Sequence, residues 1–184
     1  WVVAGTLPLV ADDDQHVLNS SLVYAPSGEC VARYDKIHLF QFDNGREHYT
    51  EAAVVQAGQQ PVVCDIQAQS GETWRLGLSV CYDLRFPELY RALSAQGADL
   101  LLVPSAFTHT TGQAHWEVLL RARAIENLAY VLAPGQGGVH ENGRKTWGHS
   151  LLIDPWGEVQ ALQASGPGVV LGELSRDRLL QVRQ

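Results

Sequence analysis

The chain has 184 residues, 46% of them hydrophobic and 18% charged, enough for one domain with a sizeable core and too few for two comfortable ones. Its formal net charge of −7 argues against nucleic acid or an anionic membrane surface as the main partner. No apolar run approaches the roughly 20 residues of a membrane span, and no signal-peptide pattern opens the chain.

Cys30, Cys64 and Cys81 are an odd number without short paired spacing, so neither a disulfide framework nor a four-ligand zinc site is expected, and a reducing cytoplasm is the expected location. Trp1 opens the chain inside a strand-like run, Trp1-Val2-Val3-Ala4-Gly5, and there is no methionine. This reads as a sequence without its natural N-terminus.

Strand signals dominate the first third. Residues 17–25 and 30–34 flank Pro26-Ser27-Gly28-Glu29 and read as a hairpin. Residues 36–60 read as a long loop with one helical turn, of the kind that carries function in a compact domain. Residues 61–68 and 74–80 flank Gln69-Ser70-Gly71-Glu72, a second hairpin. Beyond Cys81, Pro87 suits a first helical position, and Gly97 is placed to end that helix. Residues 98–103 form an apolar strand, 114–128 the longest helical pattern, and 129–133 another strand. A hairpin over 150–162 turns at Asp154-Pro155-Trp156-Gly157, and a last strand falls near 169–174. Strand–helix–strand–helix–strand through the middle implies parallel pairing, with hairpins on either side making the sheets mixed. Residues 1–184 read as one α/β domain.

Cys81 stands where the apolar strand Leu76-Gly77-Leu78-Ser79-Val80 meets the next helix, the place where open α/β folds put active sites. There the helix dipole is expected to lower the thiol pKa, and the Tyr82 N–H to face an oxyanion on the attacked carbon. Position alone leaves a buried structural cysteine equally open. Lys36, between apolar residues at the end of a strand, can stabilise developing negative charge or be a solvated surface lysine.

Together, Tyr34-Asp35-Lys36-Ile37-His38-Leu39-Phe40 and Gly77-Leu78-Ser79-Val80-Cys81-Tyr82-Asp83-Leu84-Arg85-Phe86-Pro87-Glu88 resemble the two signature blocks of the nitrilase superfamily. Pro104-Ser105-Ala106-Phe107-Thr108, residues 114–127, Gly148-His149-Ser150 and Asp154-Pro155-Trp156-Gly157 resemble its Nit branch, which contains deaminated glutathione amidase and omega-amidase. The resemblance implies a four-layer α-β-β-α sandwich, here without its N-terminal strand–helix unit, and a Glu–Lys–Cys triad. It implies hydrolysis of a small carboxylate-bearing amide through a Cys81 thioester, with release of ammonia and no cofactor or metal. A homodimer or higher homo-oligomer is the expected assembly.

In the family the general-base glutamate lies upstream of the strand matching Trp1–Thr6. Glu51 resembles a second glutamate that lies near the lysine, with Glu47 in the same loop as the competing assignment. Glu117 resembles a block close to the nucleophile and takes a supporting role. Arg85 takes either a substrate carboxylate or a structural ion pair. Arg121, Arg123 and Glu126 read as structural, in an ion-pair network or a subunit interface.

Rival readings are weaker. Gly77-Leu78-Ser79-Val80-Cys81 lacks the second glycine of a serine-hydrolase elbow. The histidines at 38, 48, 109, 115, 140 and 149 lack the paired helical spacing of a zinc motif. An inactive binding or oligomerising homologue, and a nitrile or N-carbamoyl hydrolase, remain as alternatives.

Overall fold

The computed structural model describes residues 1–43, 45 and 48–184. The chain begins with three antiparallel strands, β1 (Val2–Val10), β2 (Val17–Tyr24) and β3 (Cys30–Asp35). The segment expected as a long loop folds further than its polar composition suggested. It forms a small hairpin of β4 (Gln41–Asp43) and β5 (His48–Thr50), then a single 3-10 turn over Glu51–Ala53. A two-residue strand, β6 (Val55–Gln56), joins β2 in parallel and completes a four-stranded sheet.

The second sheet begins with the hairpin of β7 (Val62–Gln67) and β8 (Thr73–Leu78). Helix α1 (Pro87–Ala95) leads to β9 (Leu100–Leu102), and α2 (His109–Asn127) leads to β10 (Tyr130–Ala133), with β8, β9 and β10 pairing in parallel. A side hairpin, β11 (Gly137–Val139) and β12 (Lys145–Trp147), precedes β13 (Ser150–Ile153) and β14 (Val159–Gln163). The six-stranded order is β14-β13-β10-β9-β8-β7. Helix α3 (Arg176–Arg183) follows.

One apolar core joins the layers. Val23 and Tyr34 of the first sheet, Leu76, Leu78, Leu101 and Val131 of the second, and Leu93, Trp116 and Leu120 of the helices belong to the same buried cluster. The described residues thus supply three layers of the expected sandwich: helices, mixed six-stranded sheet, four-stranded sheet. No helix among them is long and apolar enough to cross a membrane.

One helix boundary, one strand and one further helix differ from the sequence expectation. Helix α2 starts at His109, five residues early, because tertiary packing overrides the weak helix preference of its first turns. Gly112 lies so close to Trp147 that an added Cβ would sit 2.3 Å from that side chain. The strand expected near 169–174 is absent: Val169 and Leu171 are largely exposed and have no partner strand. Instead α3 forms, with the Ser175 hydroxyl accepting from the Arg178 N–H at its N-terminus.

Candidate active site

The carboxyl ends of the three parallel strands converge on one cavity of about 680 Å³. Val80–Tyr82 follow β8, Pro104–Thr108 follow β9, and Pro134–Gln136 follow β10; all of them line it. Crevices at the carboxyl ends of parallel strands are where α/β sheets bind ligands, because the chain leaves the sheet there and loops diverge.

Cys81 heads a 3-10 turn, Cys81–Arg85, and has φ = +51°. That left-handed backbone costs a non-glycine residue about 1–3 kcal/mol and persists where its surroundings over-determine it. The surroundings are visible. The Cys81 N–H donates to the Pro104 carbonyl (3.0 Å), and the Asp83 N–H to Val80 (3.1 Å). Between them the Tyr82 N–H has no acceptor among the described residues, which leaves it available to a bound ligand.

The expected helix-dipole effect is corrected here. Helix α1 begins only at Pro87, so Cys81 is not at its N-terminus. Burial pushes the Cys81 thiol above its ordinary value, against the opposing pull of the Lys36 charge and of hydrogen bonds from the Ala106 backbone and the Ser105 side chain. The Glu51 charge adds to the rise.

Lys36, 2% exposed, directly follows β3 and lines the same cavity. Its Nζ donates to Glu51 Oε2, the partner that a buried ammonium requires. The same carboxylate accepts from the Phe40 N–H (2.6 Å) and from Asn19 Nδ2 (3.2 Å), so it anchors the lysine, the following loop and β2 at one point. Gly58 is obligatory beneath this loop. Its N–H donates to the Lys36 carbonyl, and a Cβ there would meet the Asp35 oxygen at 2.0 Å.

Asp83, fully buried, had no assigned role in the sequence reading. Its Oδ2 accepts from the Tyr34 hydroxyl (2.7 Å) and the Val80 N–H (2.8 Å), and its Oδ1 contacts both the His38 N–H (3.0 Å) and His38 Nδ1 (2.7 Å). One carboxylate therefore ties the Cys81 turn to both flanks of Lys36. A faint signal existed: an aspartate two residues beyond the cysteine, inside an apolar segment, needs buried donors.

The profile of the carbon-nitrogen hydrolase family matches residues 1–184, the whole chain. The chain belongs to the carbon-nitrogen hydrolase family. Among its curated relatives, "Deaminated glutathione amidase" of Synechocystis sp. is 50% identical over 188 residues, covering 100% of this chain and 67% of the relative. The C. elegans NitFhit protein superposes with a TM-score of 0.88 at 40% identity, over 98% of this chain and 43% of that one. An amidase from Nesterenkonia sp. AN1, with the acetamide moiety of fluoroacetamide covalently added at its active-site cysteine, gives a TM-score of 0.77 at 29% identity. It is matched over 96% of this chain and 62% of its own. The chain thus spans from under half to about two thirds of these proteins.

In this carbon-nitrogen hydrolase the structure brings Cys81, Lys36, Glu51 and Tyr82 together on one cavity and leaves two expected residues off its lining. Arg85 stands behind the wall, its guanidinium 5.5 Å from the Phe107 ring and Nη2 3.3 Å from His115 Nδ1. Glu117 is on the outward face of α2, half-exposed and 3.6 Å from Arg121, because its helical register points away from the sheet. Glu47 lies outside the described residues. Arg123 and Glu126 do form an ion pair (2.8 Å), with Arg123 also donating to the Leu84 carbonyl.

Proposed function

We propose that this cavity hydrolyses the C–N bond of a small carboxylate-bearing amide, of the deaminated glutathione or omega-amide type, through a thioester on Cys81. The observation that carries this reading is a cysteine on a strained turn sharing one cavity with a buried lysine held by a carboxylate. The names of the curated relatives support the substrate class, and the acetamide adduct of the Nesterenkonia amidase supports the cysteine as nucleophile.

The chemistry follows from the groups present. The Cys81 sulfur attacks the amide carbon as its proton passes to a base; Lys36 Nζ and the Tyr82 N–H hold the resulting oxyanion. The C–N bond breaks as nitrogen takes up that proton, and ammonia or an amine leaves. Water then attacks the thioester, giving up its proton to the base, and the acid departs with the thiol restored. Glu51 has Lys36, Phe40 and Asn19 on its oxygens, which suits it to hold the lysine charged and in place. The separate base that the family resemblance expects, a glutamate upstream of Trp1, would take the proton.

The test combines mass spectrometry with turnover. Incubation with a reactive amide should leave an acyl adduct on Cys81, and Cys81→Ala should abolish both adduct and hydrolysis. Cys30→Ala and Cys64→Ala should retain them. Appreciable hydrolysis by Cys81→Ala would refute the mechanism.

A further inference from the structure

Among the described residues that line the cavity, three side chains are charged: Lys36, Glu51 and Arg144. Lys36 and Glu51 neutralise each other. Among these residues Arg144 therefore carries the positive charge that has no partner of opposite sign, in an otherwise acidic chain.

Arg144 is held as a rigid fixture. The turn between β11 and β12 fixes its backbone, with the His140 N–H donating to the Arg144 carbonyl (2.9 Å) and the Arg144 N–H to Asn142 Oδ1 (3.0 Å). Its guanidinium carbon lies 5.4 Å from the centre of the Tyr49 ring, and Nη2 donates to the Ala106 carbonyl (3.0 Å). Its Nε is buried with no hydrogen-bond partner among the described residues. The guanidinium is thus short of acceptors within the fold, and its N–H groups on the cavity side are donors for an anionic ligand.

Ala106 links Arg144 to the wall of the cavity that Cys81 lines. Its carbonyl accepts from Arg144, and all three residues line the same cavity of about 680 Å³. A cavity of that size accommodates a short acyl chain that carries a carboxylate at the end remote from the scissile carbon.

We propose that Arg144 is a specificity-determining residue that binds the carboxylate of the acid portion of the substrate while Cys81 attacks the amide at its other end. The proposal deepens the amidase reading and rests on it for the meaning of the bound acid, but its test needs no turnover.

The experiment measures how ligands protect Cys81 from iodoacetamide in the full chain. Glutarate, a five-carbon dicarboxylate, should slow labelling of the unaltered protein. Arg144→Gln should require about 10- to 100-fold more glutarate for the same protection, the range expected for one charge-assisted pair, and Arg144→Lys an intermediate amount. Pentanamide, a neutral five-carbon chain, should protect all three equally. Melting temperatures establish that each variant is folded, and the lysine variant keeps the test valid if the glutamine variant is not. Unchanged glutarate protection in Arg144→Gln, equal loss for pentanamide, or loss only in Arg85→Gln would each overturn the assignment. A failure of hydrolysis with this pattern intact would count against the amidase reading alone.

Discussion

A thiol pushed up by burial, rather than drawn down by a helix, changes what is expected of Cys81 at the bench. Its ordinary value is about 9.0, and desolvation raises it, so the resting site holds a thiol at neutral pH. Labelling by iodoacetamide should therefore still be climbing at pH 9. The signs of the neighbouring charges make a sharper test. Lys36 favours the thiolate, so Lys36→Gln should displace the profile to higher pH; Glu51 disfavours it, so Glu51→Gln should displace it to lower pH. Labelling rates resolved by peptide mass spectrometry give all three curves. A plateau below pH 8 in the unaltered protein would contradict the account. The helix does start at Pro87, as its sequence suggested; the low-pKa expectation failed because a 3-10 turn over Cys81–Arg85 separates the thiol from that start.

At the scale of elements, the site depends on two sheets keeping register across their shared core. Asp83 is the fastening: it takes donors from β3, from the loop after Lys36 and from Val80, where the Cys81 turn starts. His38, held by Asp83, stacks on Phe86 at 3.7 Å between ring centroids, so the link extends to the start of α1. Asp83→Ala would leave the Val80 and His38 N–H groups and the Tyr34 hydroxyl buried without acceptors, a cost of about 3 kcal/mol or more. We expect a melting temperature lower by several degrees and amide turnover reduced at least tenfold, measured on the same preparation. Full activity in a destabilised Asp83→Ala protein would show that the lysine and the cysteine find their register without it.

Helix α3 is fastened to the common core at several points. Asp99, at the start of the β9 region, accepts from Arg176 Nη1 (3.0 Å), Arg183 Nη1 (2.8 Å) and the Arg75 N–H (3.2 Å). The guanidinium of Arg176 also covers the Trp74 ring at 3.9 Å. Leu179 is fully buried in the common core, and the Tyr130 hydroxyl donates to the Ser175 carbonyl (3.2 Å). Asp99→Ala removes the shared acceptor and should cost about 2 kcal/mol, lowering the melting temperature by roughly 5 °C while leaving the cavity intact. Thermal unfolding with and without this change checks it. An unchanged midpoint would mean that α3 docks through Leu179 and Tyr130 alone.

The family, the alternation of strands and helices, and the positions of Cys81 and Lys36 were legible in sequence. Each is a local pattern: an apolar run, a turn signal, a motif of adjacent residues. Tertiary structure decided what adjacency does not encode. It placed Lys36 and Cys81, far apart in sequence, on one cavity, committed Glu51 to the lysine, and turned Glu117 outward on α2. It set Arg85 behind Phe107 and brought Arg144 into the lining, because which arginine reaches a cavity depends on how a remote hairpin folds back over the strand ends. It also left residues 169–174, read from sequence as a last strand, without a partner strand, and formed α3 just beyond them over Arg176–Arg183.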